Sequence, residues 1–94
     1  MIRSFACKET EKIFNLRHSK RFPAGIQQVV LRKLKMLNRS LNVRDLRIPP
    51  ANRLEQLKGK RKGQWSIRIN NQWRLCFKWK AGDAFQVEIV DYHK

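Results

Sequence analysis

The fold is decided by residues 65–79, which read WSIRINNQWRLCFKW. Apolar and polar side chains alternate on both sides of the central Asn-Asn pair, as in two strands that each bury one face. A two-residue turn at that pair would place apolar side chains beside polar ones across the hairpin. A three-residue loop over 70–72 instead pairs Ile67 with Leu75 and gathers the apolar side chains on one face. The buried face sets the register, so we predict the second arrangement, with an asparagine in a left-handed loop position.

Further strands are predicted on either side of this hairpin. Phe85–Ile89 alternates in the same way after a turn at Ala81-Gly82-Asp83, and we expect Phe77 to pair with Val87. A short strand is plausible over 53–57, before the hairpin. The opening residues 2–5 indicate a first strand. These stretches predict a small antiparallel sheet with one apolar face.

The first half of the chain is predicted to be helical. Residues 8–17 indicate one helix, with an apolar side formed by Ile13, Phe14 and Leu16. After Pro23 a second helix is indicated by apolar residues at three- and four-residue spacing, with Arg32, Lys33 and Lys35 toward water. Those apolar residues are Ile26, Val29, Val30, Leu34 and Leu37. We therefore predict an α+β fold, in which an N-terminal strand and two helices pack on one face of the sheet, as a single domain over 1–94.

Net charge narrows the class of partner. The 94 residues include 22 Lys and Arg against 7 Asp and Glu, which gives +15 at pH 7 and favours a polyanionic partner. The densest run of cations consists of Lys58, Lys60, Arg61 and Lys62. No apolar stretch approaches the roughly 18 residues of a membrane span, and no signal peptide is evident. We expect a cytoplasmic protein that binds nucleic acid rather than a membrane.

Two arginines conflict in the predicted register. Arg68 falls directly opposite Arg74, where like charges repel, and Tyr92 lies diagonal to Arg74 on the same solvated face. One interpretation is that Glu88 relieves the repulsion and both guanidinium groups point into water. The other is that the two guanidinium groups grip a phosphate. The residues alone leave both open.

The last residues of the sequence offer side chains suited to acid–base chemistry. Asp91, Tyr92 and His93 bring a carboxylate, a phenol and an imidazole together just past a strand. Only His93 and His18 have side chains that titrate near neutrality without a large shift. Cys7 and Cys76 show no metal-ligand spacing and are interpreted as small buried hydrophobic residues, so no metal or cofactor is expected.

Four segments resemble the RelE/ParE superfamily of bacterial toxins, and most closely its HigB branch. They are RLEQLKG at 53–59, GQWSI at 63–67, NQWRL at 71–75 and DYH at 91–93. The resemblance implies a RelE-like fold and a ribosome-dependent endoribonuclease that cuts mRNA in the A site. It also implies a HigA-like helix-turn-helix antitoxin, with operator DNA contacted only through the antitoxin complex. Two alternatives stay open: a non-catalytic gyrase inhibitor of the ParE kind, and a small basic RNA-binding protein. The terminal acid–Tyr–His group favours the enzyme, because a protein that only binds does not need it.

The resemblance also implies roles for individual residues. His93 serves as general acid or base, Asp91 orients it or acts as base, and Tyr92 stacks on a base or donates its hydroxyl. Charge on the phosphorane is stabilised by Arg74, Arg68 and Lys58, and RNA is bound by Lys60, Arg61 and Lys62.

One position departs from the family pattern. Glu55 stands where relatives often carry a second histidine. Glu55 then replaces that histidine as base, or the activity is weaker. It is equally plausible that Glu55 only pairs with Arg53 or Lys58 on the surface.

Overall fold

The computed structural model describes residues 1–92, in which two helices lie against one four-stranded antiparallel sheet. The helices are α1 (Lys8–Phe14) and α2 (Ala24–Arg39). The strands are β1 (Glu55–Gln56), β2 (Gln64–Arg68), β3 (Trp73–Lys80) and β4 (Asp83–Asp91), in the spatial order β1-β2-β3-β4. The predicted α+β class is confirmed. The strand expected over 53–57 is present but is only two residues long. None of the described helices is long and apolar enough to cross a membrane.

The predicted register of the β2–β3 hairpin is confirmed. Ile67 pairs with Leu75 and Arg68 with Arg74. The loop covers 70–72 as predicted. None of its residues has a positive φ, so the prediction of an asparagine in the left-handed conformation was wrong. The Asn70 side chain closes the loop instead, because its Oδ1 accepts the backbone N–H groups of Gln72 and Trp73 at 2.9 and 2.8 Å.

The core lies between the helices and one face of the sheet. Leu34 and Leu37 of α2 are fully buried, together with Ile67, Leu75 and Phe77 of the hairpin. Burying a side chain of this size stabilises the fold by about 1.5–3 kcal/mol relative to leaving it in water. The polar face of the same hairpin is thereby fixed on the opposite side, away from the helices.

A β-bulge in β4 breaks the predicted alternation of that strand. Cys76 pairs with Glu88 but Lys78 pairs with Phe85, so two β4 residues lie opposite Phe77, and Gln86 has a φ of 53°. The predicted Phe77–Val87 pair therefore falls within the bulge. An extra residue in a strand moves every side chain beyond it to the opposite face of the sheet. Ala84 consequently enters the core in place of Phe85, which lies half-buried beside Lys78 on the other face.

The predicted N-terminal strand is present as two parallel bridges along β4, Ile2–Ala84 and Phe5–Val87. Backbone N–H groups of Arg3 and Ala6 donate to the carbonyls of Ala84 and Val87 at 2.8 and 3.0 Å. The bulge lies between these two bridges, and it explains why they do not join into a continuous ladder.

Helix α1 ends three residues earlier than predicted. The N–H of Leu16 donates to the carbonyl of Ile13 at 3.0 Å, and that of Arg17 to the carbonyl of Lys12 at 2.8 Å. This pair of bonds is the Schellman motif, which requires a left-handed residue, and Leu16 has a φ of 64°. Leu16 is therefore 75 % exposed rather than part of the apolar side of the helix.

Replacing Leu16 with glycine is expected to stabilise the protein. Glycine adopts the left-handed conformation without the steric cost of a Cβ, and an exposed leucine loses little packing, so the unfolding free energy should rise by roughly 0.5–1 kcal/mol. Urea unfolding measures the change. Leu41→Gly is the matched control, because Leu41 is 86 % exposed and its φ is not positive. A gain of stability in Leu41→Gly but not in Leu16→Gly would contradict the prediction.

Lys33 is buried, although its position on α2 predicted a side chain in water. It is 6 % exposed, and its Nζ donates to Oδ1 of the fully buried Asn52. Asn52 in turn donates from Nδ2 to the carbonyl of Leu46 at 3.0 Å. Burial, and next the charges of Arg32 and Arg68, lower the pKa of Lys33.

The lowered pKa of Lys33 makes stability depend on alkaline pH. Between its folded pKa and the unfolded value of about 10.4, the unfolded chain binds more protons, so the unfolding free energy rises with pH. Lys33→Met should abolish this part of the rise in urea unfolding between pH 8 and pH 10.5. Lys35→Met, on the exposed side of the same helix, should keep it. Equal pH dependence in the two variants would show that burial of Lys33 has no such effect.

Candidate functional site

The candidate site lies on the face of the sheet that points away from the helices. Antiparallel pairing aligns Glu55 with Ser66 and Ser66 with Cys76, and it aligns Arg74 with Val90. Paired residues share a face of the sheet, so all four strands contribute side chains to one surface. Tyr92 follows the end of β4 and reaches the same surface.

Arg74 is the buried centre of this surface, so the first of the two interpretations, in which its guanidinium points into water, is wrong for Arg74. It is only 5 % exposed. Its Nε donates to Ser66 Oγ at 2.8 Å, and its Nη2 donates to the carbonyl of Arg53 at 2.7 Å. Its Cζ lies 5.1 Å from the centroid of the Tyr92 ring, a cation–π contact. The Arg74 guanidinium is buried because the neighbouring Ser66 side chain is small and the Tyr92 ring covers it.

The acid that faces Arg74 is Glu55, not the predicted Glu88. Glu55 Oε2 lies 3.8 Å from Arg74 Nη2, whereas Glu88 lies 3.6 Å from Arg61 Nη1. Arg68 turns to the hairpin loop and donates from Nη2 to Asn71 Oδ1. The two opposed arginines thus have different partners, and of these only the Glu55 carboxylate, beside Arg74, offsets a positive charge.

Glu55 also contacts the phenol of the chain end. Tyr92 Oη donates to Glu55 Oε1 at 3.2 Å, and the Tyr92 side chain is half exposed. Among the ion pairs within residues 1–92, the partner of Glu55 is Arg74, so the suggested pairing with Arg53 or Lys58 is not found. A carboxylate, a phenol and a guanidinium therefore form one connected cluster, the Glu55–Tyr92–Arg74 cluster.

A cavity of about 650 Å³ opens beside this cluster. It brings together six of the predicted site residues: Glu55, Lys58, Lys60, Arg61, Asp91 and Tyr92. Lys62 lines a neighbouring cavity with Lys58, and Arg68 lines a smaller one with Arg74. Asp91 Oδ2 accepts a hydrogen bond from Gln72 Nε2 at 3.1 Å. The predicted base or acid His93 lies outside the described residues.

Two residues of the surface were missed at the level of sequence. Ser66 accepts a hydrogen bond from the Arg74 guanidinium. The predicted register already placed Ser66 diagonal to Arg74, and that position could have indicated the contact. Cys76 lines the large cavity as a free thiol, and burial raises its pKa to about 11. It is therefore protonated at neutral pH and unsuited to nucleophilic attack. Cys7, expected to be buried, is only partly so.

The cluster and the cations around it suit chemistry on a phosphodiester. A carboxylate can take a proton, a phenol can give one, and lysine and arginine can balance charge on phosphorus. Within residues 1–92, no three His, Cys, Asp or Glu side chains are grouped as metal ligands.

Comparison with known proteins identifies the family. Residues 3–93 match the family described as the RelE-like toxin of type II toxin–antitoxin system HigB. The chain is 46 % identical over 72 residues to Toxin HigB-1 of Vibrio cholerae, which covers 77 % of this chain and 75 % of that protein. It is 30 % identical over 93 residues to Endoribonuclease HigB of Proteus vulgaris, which covers 99 % and 100 %.

The fold agrees with this assignment. The structure superposes with a TM-score of 0.62 on a chain of the YoeB–YefM toxin–antitoxin heterotetramer of Staphylococcus aureus, at 18 % identity, over 100 % of this chain and 99 % of the other. Because the family match spans nearly the whole chain, this protein belongs to the HigB-like family of RelE-like toxins of type II toxin–antitoxin systems.

Proposed function

We propose that this toxin is a ribosome-dependent endoribonuclease that cuts translated mRNA in the ribosomal A site. The observation that carries the proposal is the Glu55–Tyr92–Arg74 cluster beside a cavity that Lys58 also lines. The name of the Proteus vulgaris relative supports the reaction class. A ParE-like gyrase inhibitor would need no such combination of acid, phenol and phosphate-binding cations.

The reaction is intramolecular transesterification of RNA. A base removes the proton of a 2′-hydroxyl, the 2′-oxygen bonds to phosphorus, and the bond from phosphorus to the 5′-oxygen breaks. An acid then gives that 5′-oxygen a proton. Such proton transfers by a positioned side chain are typically worth about 10²–10⁴-fold in rate.

Glu55 takes the role of general base in this proposal. Its carboxylate lies at the cavity, next to the cationic Arg74, and accepts a hydrogen bond from Tyr92. With Glu55 as base, we assign the role of general acid to His93, and Asp91 is proposed to orient it. Lys58 and Arg74 stabilise the charge that develops on the phosphorane.

The exposed lysines of the 58–62 run hold the RNA backbone. Lys58, Lys60 and Lys62 are exposed, whereas Arg61 is partly buried and engaged with Gln64 at 3.0 Å and with Glu88. The three lysines therefore supply most of the charge that phosphates can neutralise, and Arg61 contributes less than its place in the run predicted.

The biological partners follow from the family. A type II toxin has an antitoxin, and the YoeB neighbour was solved with YefM. We propose a HigA-like helix-turn-helix antitoxin as the partner here, with operator DNA reached only through that complex. The toxin would act as a single domain in the cytoplasm, where the translating ribosome is found.

Glu55→Gln is expected to lower kcat for cleavage of ribosome-bound mRNA by about 10²–10⁴-fold, because the amide cannot accept the proton. Urea unfolding should show only a modest loss of stability, since Glu55 is exposed, its contact with Arg74 is 3.8 Å long, and Arg74 keeps its hydrogen bonds to Ser66 and Arg53. Glu11→Gln, on the exposed side of α1, is the matched control and should cleave normally. Normal cleavage by Glu55→Gln would exclude Glu55 as the base. Intact mRNA after incubation with the wild-type protein would instead favour a target such as gyrase.

Ribosome binding should lose salt dependence when the lysine run is neutralised. With Lys58, Lys60 and Lys62 all changed to Gln, the log–log slope of affinity against salt should fall by roughly 2–3, at about 0.7–0.9 per phosphate contact. The comparison variant changes Lys8, Lys12 and Lys20, near α1, to Gln. Equal loss of slope in the two triple variants would mean that binding is spread over the whole basic surface.

A further inference from the structure

A phenylalanine lies on the solvated face of the sheet, at the opposite end of β4 from Tyr92. The bulge in β4 pairs Phe85 with the exposed Lys78, which alternates along β3 with the buried Phe77, so Phe85 shares the face that points away from the helices. Phe85 is half-buried and is not part of the core cluster formed by the described residues. Bulges commonly re-aim a side chain beside a functional site, and this one turns an aromatic ring out of the core.

A cavity of about 620 Å³ opens beside Phe85 and is also lined by Lys78, Lys80 and Asp83. Its volume falls within the range of roughly 300–1,000 Å³ of small-molecule sites, which is enough for a nucleobase. Both lysines are exposed, and among residues 1–92 neither has a carboxylate within salt-bridge distance. Asp83 is paired instead with the N-terminal amine at 3.2 Å and with Arg3 at 3.1 Å. The cavity therefore combines an aromatic ring with two cations that an anion can reach.

This cavity continues a groove that begins at the proposed catalytic cluster. The large cavity beside that cluster shares Lys58 with a cavity of about 340 Å³, and the latter shares Gly63 with the cavity at Phe85. Along β3, Lys78 lies four residues beyond Arg74, or about 13 Å at the usual rise per residue. An RNA strand that leaves the large cavity along the lysine run would therefore reach Phe85 within a few nucleotides.

We propose that Phe85 is a stacking platform for an unpaired base of the mRNA, a few nucleotides from the cut, and that Lys78 and Lys80 contact the adjoining phosphates. The inference rests on the proposed function, because the scissile phosphate then occupies the large cavity. Every base has a π-face, so the platform binds RNA without selecting a sequence. Continuity with the large cavity favours the mRNA over ribosomal RNA, and the two exposed cations beside the ring favour RNA over a protein segment.

The test removes one base of the mRNA at a time on programmed ribosomes. An abasic nucleotide is placed in turn at each position on either side of the cut, in an mRNA whose 2′-deoxy nucleotide just 5′ of the cut prevents cleavage. At one position, loss of the base should weaken toxin binding by roughly 5–100-fold, the usual effect of one stacking contact. Phe85→Leu keeps an apolar side chain but loses the flat ring, so it should weaken binding of the intact mRNA by a similar factor and become insensitive to that abasic position. Phe85→Trp should bind and respond like the wild type.

Phe14→Leu is the matched control, because Phe14 is a half-buried phenylalanine on α1, and it should keep the full abasic effect. The proposal is overturned if every abasic effect of the wild type persists in Phe85→Leu. If Phe85→Leu weakens ribosome binding equally whichever base is missing, the ring contacts ribosomal RNA instead. Weaker antitoxin binding by Phe85→Leu, with normal ribosome binding, would also overturn the proposal and assign the cavity to the protein partner.

Measuring binding apart from cleavage separates this inference from the proposed function. If the wild type leaves the cleavable, all-ribose mRNA intact, the proposed endoribonuclease activity fails. An abasic effect on Kd that disappears in Phe85→Leu would still support the stacking platform, and an effect that persists would overturn it even where cleavage occurs. Urea unfolding of each variant confirms that it is folded.

Discussion

The buried guanidinium of Arg74 is the constraint on which the functional face of the sheet depends. A guanidinium stays charged and carries five donors, so its burial requires partners. The partners come from different segments: Ser66 of β2, the carbonyl of Arg53 before β1, Glu55 of β1 and the ring of Tyr92 at the chain end. The contacts that satisfy the buried charge of Arg74 therefore bring the proposed catalytic groups Glu55 and Tyr92 together.

The same sheet serves two purposes through its two faces. One face buries Ile67, Leu75 and Phe77 against the helices and provides stability. The other face carries Arg74 and its partners, whose backbone positions are fixed by that buried ladder. Groups held on strands in this way are placed more accurately than groups on loops. The proposed contacts to the RNA backbone come instead from exposed lysines, whose flexible stems and point charges need no fixed geometry to pair with a phosphate.

The glutamate at position 55, where the family resemblance leads one to expect a histidine, sets the electrostatics of the site. A carboxylate is negative at neutral pH and forms an ion pair with Arg74, which a neutral imidazole could not do. It also accepts the Tyr92 hydroxyl and so fixes the phenol beside the cavity. The substitution thus has a structural consequence in addition to its proposed catalytic one: it links β1 to the chain end.

Alternation within residues 65–79 determined the hairpin, its register and the opposition of Arg68 and Arg74, because a buried face allows only one pairing. Helical spacing determined α2, and the four motifs indicated the family.

The bulge at Gln86 could not be predicted, since a single extra residue changes the parity of a strand without changing its composition. Lys33 was predicted to be in water and Arg74 was placed on a solvated face, because local pattern does not reveal a buried polar partner distant in sequence, Asn52 for Lys33 and Ser66 for Arg74. Likewise, only the tertiary structure decided that Glu55 rather than Glu88 faces Arg74. That choice depends on a two-residue strand placed at the sheet edge by contacts between segments, which no local periodicity records.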